Sequence, residues 1–522
     1  MKELIFHRAF LPAIDRYASK VMVQDGDHQG TFAEHGDRVL RLADAMRQQL
    51  GLTAADRFAV MAANSHQFLE LYHAGFLGAG IINPLNLRLA AKELQFVLAD
   101  SGTKVVFVDA LFAGHVVRAI DEVSADLAVE HIVVIGDSEV PHDVSYEDLI
   151  AAGSPVVPSE PDEDDPVVLM YTGGTTGVPK GVLLDQRAEL LNLYHIAVAL
   201  DFNESRVYLH QTPMFHAASM GGVLGIPAIG ATSVFVPVFD PPAVIDTIER
   251  HQVDWTMMVP TMIAMVLDHA EFKPERLASL RDLVYGASPM SQALLTRLVD
   301  QLPATRLWQG YGMTECSSAL TFLTAEDHRV GGERLRSAGR PVFGVNLSIR
   351  DKENASRSTG DIGEVCARGG NFMREYWHRP ELTDASFLDG WYHTGDEGYL
   401  DEQGYLYLVD RTKDMIVSGG ENVYSVEVEN AIASYPGVAQ VAVIGIPHDV
   451  WGEQVHAIVV AKPDTTITAH EIQAHARLSI AGFKVPKSVE FRSEPLPLSG
   501  ALKVLKRNLR QPFWDRLHAI PR

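Results

Sequence analysis

Short apolar runs that alternate with helical patterns constrain this chain more than any other feature. FAVMA (58–62), KVVFVD (104–109), HIVVIG (131–136) and the run from Val167 to Tyr171 each read as a strand buried on both faces. Between them lie helical spacings. Thr31 is expected to cap a helix whose apolar positions Val39, Leu42, Ala43, Met46 and Leu50 share one face. A second helical pattern runs through Leu69, Leu71, Tyr72 and Phe76. Strands of this kind separated by helices predict an α/β fold with mostly parallel sheets covered on both faces.

At 522 residues the chain exceeds what one core supports, so two or more domains are expected. The proline- and acid-rich segment from Pro155 to Asp165 reads as a surface linker. After about Gly398 the texture changes. Short runs such as GYLYLVD and VAQVAVIGIP alternate with turns, and a helical pattern follows in SVEVENAIASY. These features predict a smaller α+β domain at the C-terminal end.

The formal charge of −23 repels phosphate backbones, which argues against nucleic-acid or anionic-membrane binding. Small anionic ligands remain open wherever a few basic residues oppose that field. The two cysteines, Cys316 and Cys366, are too few for a disulfide framework or a zinc cluster and fit a reducing cytoplasm. The N-terminal residues mix charges into their apolar stretch, so no signal peptide is expected. From Ala217 to Phe239 there is no charged residue, a length that could span a bilayer. Its glycines and prolines, followed by SVFVPVF, instead predict a buried helix, a turn and a buried strand, with no integral membrane span.

The most informative stretch follows the strand ending at Tyr171. Thr172, Gly173, Gly174, Thr175, Thr176 and Gly177 lead through Val178 and Pro179 to Lys180 and Gly181. Three glycines let successive backbone N–H groups face one concavity, three hydroxyls add donors, and Lys180 adds a compact positive charge. That combination suits a polyphosphate. A P-loop is excluded, because its lysine follows a glycine and precedes Ser or Thr, whereas Lys180 lies between Pro179 and Gly181.

This loop resembles the signature of the adenylate-forming superfamily, which includes acyl-CoA synthetases, firefly luciferase and peptide-synthetase adenylation domains. The family pattern has Ser-Gly where this chain has Gly173-Gly174; one hydroxyl is lost and the backbone donors stay. Further segments match in the family's order. Gly286-Ala287-Ser288 resembles the adenine-side segment, and Gly310, Tyr311, Gly312, Met313, Thr314 and Glu315 the second core motif. By resemblance Thr314 contacts the α-phosphate and Glu315 holds Mg²⁺, a hard-oxygen role suited to that ion. Asp396, in WYHTGD, would accept both ribose hydroxyls, and Arg411, in DRTKDMI, would meet the ribose. Lys413 would be the hinge, and Gly419-Gly420 would line a pantetheine tunnel. In LPLSGALKVLK the catalytic lysine is Lys503 or Lys506, and the distance from Pro497 favours Lys503.

The resemblance implies a large N-terminal domain (1–410) of layered, mostly parallel sheets and helices with a small β-barrel-like part. It also implies a small mobile α+β C-terminal domain (411–522) carrying the lysine. The implied reaction uses ATP to turn a carboxylate into an acyl-adenylate plus pyrophosphate, then passes the acyl group to an acceptor. Coenzyme A is the expected acceptor. Phe483 is placed to stack on its adenine, and Lys484 or Lys487 to meet its 3′-phosphate. A carrier-protein thiol, a luciferase-like oxidation and a non-catalytic nucleotide-binding paralogue are the alternatives, and a homodimer is left open. His216 matches the gate between acyl and pantetheine channels. Small residues follow it (Ala217, Ala218, Ser219, Gly221, Gly222), and Cys316, Ser317 and Ser318 follow Glu315, without lysine or arginine. The expected substrate is therefore a monocarboxylate with an apolar body, either a medium to long chain or a bulky ring.

Overall fold

The computed structural model describes residues 2–122, 127–172, 179–200, 203–411, 414–418, 421–448, 451–500 and 502–518. Four sheets organise them. In the first, the strands Arg57–Met61, Ile81–Pro84, Thr103–Asp109, His131–Ile135, Val144–Ser145 and Pro166–Thr172 run parallel, and Lys180–Asp185 and Glu375–Tyr376 close one edge antiparallel. The second is parallel through Val21–Asp25, Thr232–Phe235, Val207–His210, Trp255–Met258, Asp282–Gly286 and Arg306–Tyr311. Buried aliphatic and aromatic side chains pack the helices against both sheets. This is the layered α/β architecture that the alternating runs predict.

Thr31 caps the helix Phe32–Gln48 through a reciprocal pair with Glu34, and Val39, Leu42, Ala43 and Met46 are fully buried. The uncharged stretch is largely buried as far as Val236, with Pro237 and Val238 exposed, and it divides into short helical turns at 217–228 before the strand Thr232–Phe235. Gly222 is fixed by packing within it, because a side chain there would collide with the Tyr208 ring. No helix among the described residues is long and apolar enough to cross a membrane.

The segment from Pro155 to Asp165 is more than a linker. The Glu163 carboxylate accepts the backbone N–H groups of Glu3 and Leu4 at 2.8 and 3.2 Å, strapping the N-terminal residues down.

The third sheet is small and antiparallel: Asn346–Arg350, Gly363–Arg368, Phe387–Leu388, Trp391–Leu400 and Leu406–Arg411. The run GYLYLVD belongs here, paired with Trp391–Leu400, so the change of texture near Gly398 falls inside this sheet. The fourth sheet contains Ile416–Ser418, Glu421–Val423, Val438–His448, Gly452–Ala461 and Ser488–Arg492, with the helix Ser425–Ala433 packed on it. It forms the smaller α+β unit.

Candidate active site

Thr172 and Lys180 face each other where two antiparallel strands end. Gly173, Gly174, Thr175, Thr176 and Gly177 lie outside the described residues. The Lys180 ammonium sits 4.5 Å from the ring centroid of Tyr376. The Tyr376 hydroxyl donates to Glu315 Oε1 at 2.7 Å and meets the Tyr392 hydroxyl at 3.2 Å. One aromatic side chain thus links the loop lysine to the expected metal carboxylate. Tyr376 carries no motif signal, and Tyr392, though inside the WYHTGD string, is not singled out by it; only strand pairing brings Tyr376 beside Lys180–Asp185. A carboxylate oxygen beside a polyphosphate-type loop is a donor set that suits Mg²⁺.

Thr314 and Glu315 sit on a single 3₁₀ turn, Thr314–Cys316, directly after the strand Arg306–Tyr311. The next two residues, Ser317 and Ser318, have φ of 56° and 108°, a conformation costing about 1–3 kcal/mol per residue. Hydrogen bonds hold them there. Asn192 bridges Ser318 Oγ and Ala319 N at 3.2 and 3.3 Å, and Asn371 Nδ2 donates to the carbonyls of Cys316 and Ala319 at 3.0 and 3.1 Å. Gly286 and Gly310 are register partners at the ends of adjacent strands, and a side chain at Gly286 would collide with the Gly310 carbonyl. Ala287 (φ 63°) and the half-buried Ser288 follow, and Gly312 passes close to the Ser318 backbone. These contacts bring the backbones of 286–288 and 310–312 together beside Tyr311.

The Tyr311 hydroxyl donates to Asp396 Oδ2 at 2.7 Å. Asp396 is braced from its own strand: its N–H donates to Thr394 Oγ1 at 3.1 Å, and Glu364 accepts the Gly395 N–H at 3.0 Å while lying 2.8 Å from His393 Nδ1. In the register Asp396 lies opposite Arg411. The Arg411 side chain and all of Lys413 lie outside the described residues.

Lys503 ends a tight turn that docks onto the N-terminal sheets. Ser499 N–H donates to the Lys503 carbonyl at 2.7 Å, Lys503 N–H to Ser499 Oγ at 3.1 Å, and Leu505 N–H to the Pro497 carbonyl at 2.8 Å. Arg88 reaches the Ser499 carbonyl at 3.1 Å, and Leu502 packs against the second sheet's core. Burial, reinforced by the charge of Lys503, pushes the His216 imidazole down to about 3. His216 Nδ1 accepts the Ala218 N–H at 3.2 Å, which assigns the proton of the neutral ring to Nε2. The fold therefore brings Lys503 and His216, almost three hundred residues apart, into one electrostatic neighbourhood.

Lys506, three residues on, is placed differently. Its ammonium lies 2.7 Å from Glu429 Oε1 and 2.7 Å from Ser425 Oγ, and Asp410 accepts the Ser425 N–H beside it. Burial opposes the charge, but Glu429 and Asp410 outweigh it and hold the ammonium above the usual lysine value.

The expected coenzyme A residues lie on the fourth-sheet unit. Phe483 is 44% exposed. Lys484 pairs with Glu427 at 2.7 Å, and the Lys487 ammonium lies 5.4 Å from the Trp451 ring centroid. Trp451, which stacks on His448 at 4.4 Å, extends the aromatic surface beyond the residues that the motifs single out. Gly419 and Gly420 lie outside the described residues.

Comparison with known proteins agrees with this geometry. The model of the AMP-binding enzyme family matches residues 10–377, and that of the AMP-binding enzyme C-terminal domain matches 427–503. A feruloyl-CoA synthase from Amycolatopsis is 37% identical over 509 residues, covering 94% of this chain and 95% of that protein. The fatty acid–[acyl-carrier-protein] ligase ScoC of Streptomyces coeruleorubidus is 34% identical over 478 residues, covering 91% and 90%. The ATP-bound crystal structure of MatB from Rhodopseudomonas palustris superimposes with a TM-score of 0.88 at 28% identity, covering 99% of this chain and all of that one.

Proposed function

The chain belongs to the AMP-binding enzyme family and is an AMP-forming acid–thiol ligase, and from that premise we propose that it converts an apolar monocarboxylate to its acyl-adenylate and then to its coenzyme A thioester. The observation that carries this assignment is the cluster in which Tyr376 joins Lys180 to Glu315, with the charge of Lys503 acting on His216 beside it.

In the first step a substrate carboxylate oxygen attacks the α-phosphorus of ATP, the P–O bond to pyrophosphate breaks, and pyrophosphate leaves. Catalysis is positional and electrostatic. Lys503 places its ammonium against the negative charge shared between carboxylate and phosphate. Lys180, Thr172 and the residues 173–177 hold the polyphosphate, and Thr314 contacts the α-phosphate. A Mg²⁺ ion held by Glu315 would neutralise phosphate charge. Asp396, oriented by Tyr311, takes the ribose hydroxyls together with Arg411, and Gly286, Ala287, Ser288, Gly310 and Gly312 flank the flat base. His216 stays neutral beside Lys503, so it shapes the channel without exchanging a proton there.

In the second step a thiolate attacks the acyl carbonyl and AMP leaves. A lysine that serves the first step has to leave before a thiol can arrive, so residues 411–522 turn about Lys413 between the steps in this reading. Such a turn would carry Gly419-Gly420 and the Phe483, Lys484 and Lys487 surface to the site. Lys484 would exchange Glu427 for a coenzyme A phosphate.

The feruloyl relative supports a bulky-ring substrate and the fatty-acid relative a chain. The latter also favours a carrier-protein thiol as a second acceptor to test. We place the enzyme in the cytoplasm on its cysteine content. The test is ATP–pyrophosphate exchange across a panel of carboxylic acids, then thioester formation with coenzyme A or a holo-carrier protein. Exchange without a thiol and thioester formation with coenzyme A are expected. Absence of exchange with every acid would refute the proposal, and product with the carrier alone would reassign the acceptor.

A further inference from the structure

The helix Gln186–Ala199 carries a carboxyl group for which the two steps above have no use. Glu189 has no exposed surface, and neither of its carboxylate oxygens has a hydrogen-bond partner among the described residues. Buried polar groups are nearly always paired, so an unpaired carboxyl inside a fold points to a partner that comes from outside the chain.

Its neighbours locate it. Glu189, Asn192 and Ile196 stand on one ridge of the helix, three, four and seven residues apart. Asn192 binds Ser318 and Ala319, just beyond Glu315. Ile196 lies where a Cβ at Gly221 would come within 3.0 Å of its Cδ1. Glu189 itself acts on Tyr72, whose hydroxyl donates to the Met214 carbonyl at 2.6 Å, two residues before His216. The ridge therefore runs along the floor between the 214–225 and 315–319 walls.

We propose that Glu189 closes the far end of the acyl-binding space and hydrogen-bonds a hydroxyl carried there by the substrate, making hydroxyaryl carboxylic acids the preferred class. The proposal rests on the apolar-acid reading under Proposed function and on the expectation that the small residues after His216 and Glu315 line the acyl space.

A carboxylic acid offers one donor and accepts in return, which matches a hydroxyl group. An apolar terminus leaves it unpaired. Burial, with Asp185 behind it, pushes Glu189 up to about 8, so it is neutral at pH 7. The facing groups do not reverse this. Tyr72 is a phenol whose ionisation burial suppresses, His73 is pushed down to about 3 and bonds the Val223 carbonyl at 3.1 Å, and residues 221–225 carry no titratable side chain.

The experiment measures pyrophosphate exchange for wild type, Glu189→Gln and Glu189→Leu with 4-hydroxycinnamic, cinnamic and octanoic acids, beside a thermal melt of each protein. Wild type should favour 4-hydroxycinnamate over cinnamate by tenfold or more in kcat/KM, as expected where a buried polar group must be matched. Glu189→Leu should erase that ratio and leave cinnamate or octanoate as good as before. Glu189→Gln, whose amide can still pair a hydroxyl, should keep much of the preference that Glu189→Leu erases. Equal losses on all three acids in Glu189→Leu would mean a structural role and overturn the proposal. So would a wild type that exchanges with octanoate and ignores the hydroxyl, a result that leaves the ligase assignment standing. Absence of exchange with any acid would overturn both.

Discussion

Two lysines three residues apart near the C-terminal end meet opposite environments, and exchanging each should separate chemistry from stability. Lys503 sits on the docked turn with its charge felt by His216. Replacing it with alanine removes one preorganised cation from the developing charge, a loss of about 10²–10³ in rate. The turn itself is held by backbone and Ser499 contacts, so the melt should be unchanged. Lys506 is 15% exposed at its side chain, and its partner Glu429 is 19% exposed. Lys506→Met strands a nearly buried carboxylate, which costs about 3–5 kcal/mol when burial is complete; the residual exposure favours the lower end, about 3 kcal/mol. The assays are pyrophosphate exchange per folded molecule, thioester formation from pre-made acyl-adenylate, and a urea titration. Lys503→Ala should lose exchange and keep the second step at wild-type stability. Lys506→Met should shift the urea midpoint down and keep most of its exchange. A Lys506→Met protein that is inactive at wild-type stability, beside an active Lys503→Ala protein, would refute the reasoning.

Asp396→Ala should raise KM for ATP far more than KM for the acid, because its expected work is ground-state binding of ribose; an unchanged ATP constant would remove it from the nucleotide site. Acid should destabilise the fold through buried histidines. Burial pushes His73, His210 and His216 each down to about 3, so below about pH 6.5 the unfolded chain takes up protons that the folded chain refuses. Each contributes a loss of about 1.4 kcal/mol per pH unit on descending from about pH 6.5 towards 3. A urea series from pH 7 to 5 should show this slope, and His210→Phe, which keeps a ring against Phe235, should reduce it; an identical slope in the variant would count against the assignment.

Periodicity and local chemistry made much of this protein legible. Val39, Leu42, Ala43 and Met46 announce a helix face because helical spacing repeats within a few residues, and Thr31 with Glu34 marks its start by contacts that span one turn. The loop from Thr172 to Lys180 and the segments around Glu315, Asp396 and Lys503 are local strings whose order points to nucleotide chemistry without any knowledge of packing. The contacts between those strings depend on chain reversals that no local pattern encodes. Tyr376 links Lys180 to Glu315 because an edge strand places it there. Lys503 is distinguished from Lys506 by which of them finds Glu429. Glu189 sits in a helical string like any surface glutamate and becomes exceptional only once every side is covered, because the cost of an unpaired carboxyl depends on water being absent, and only the tertiary structure removes the water.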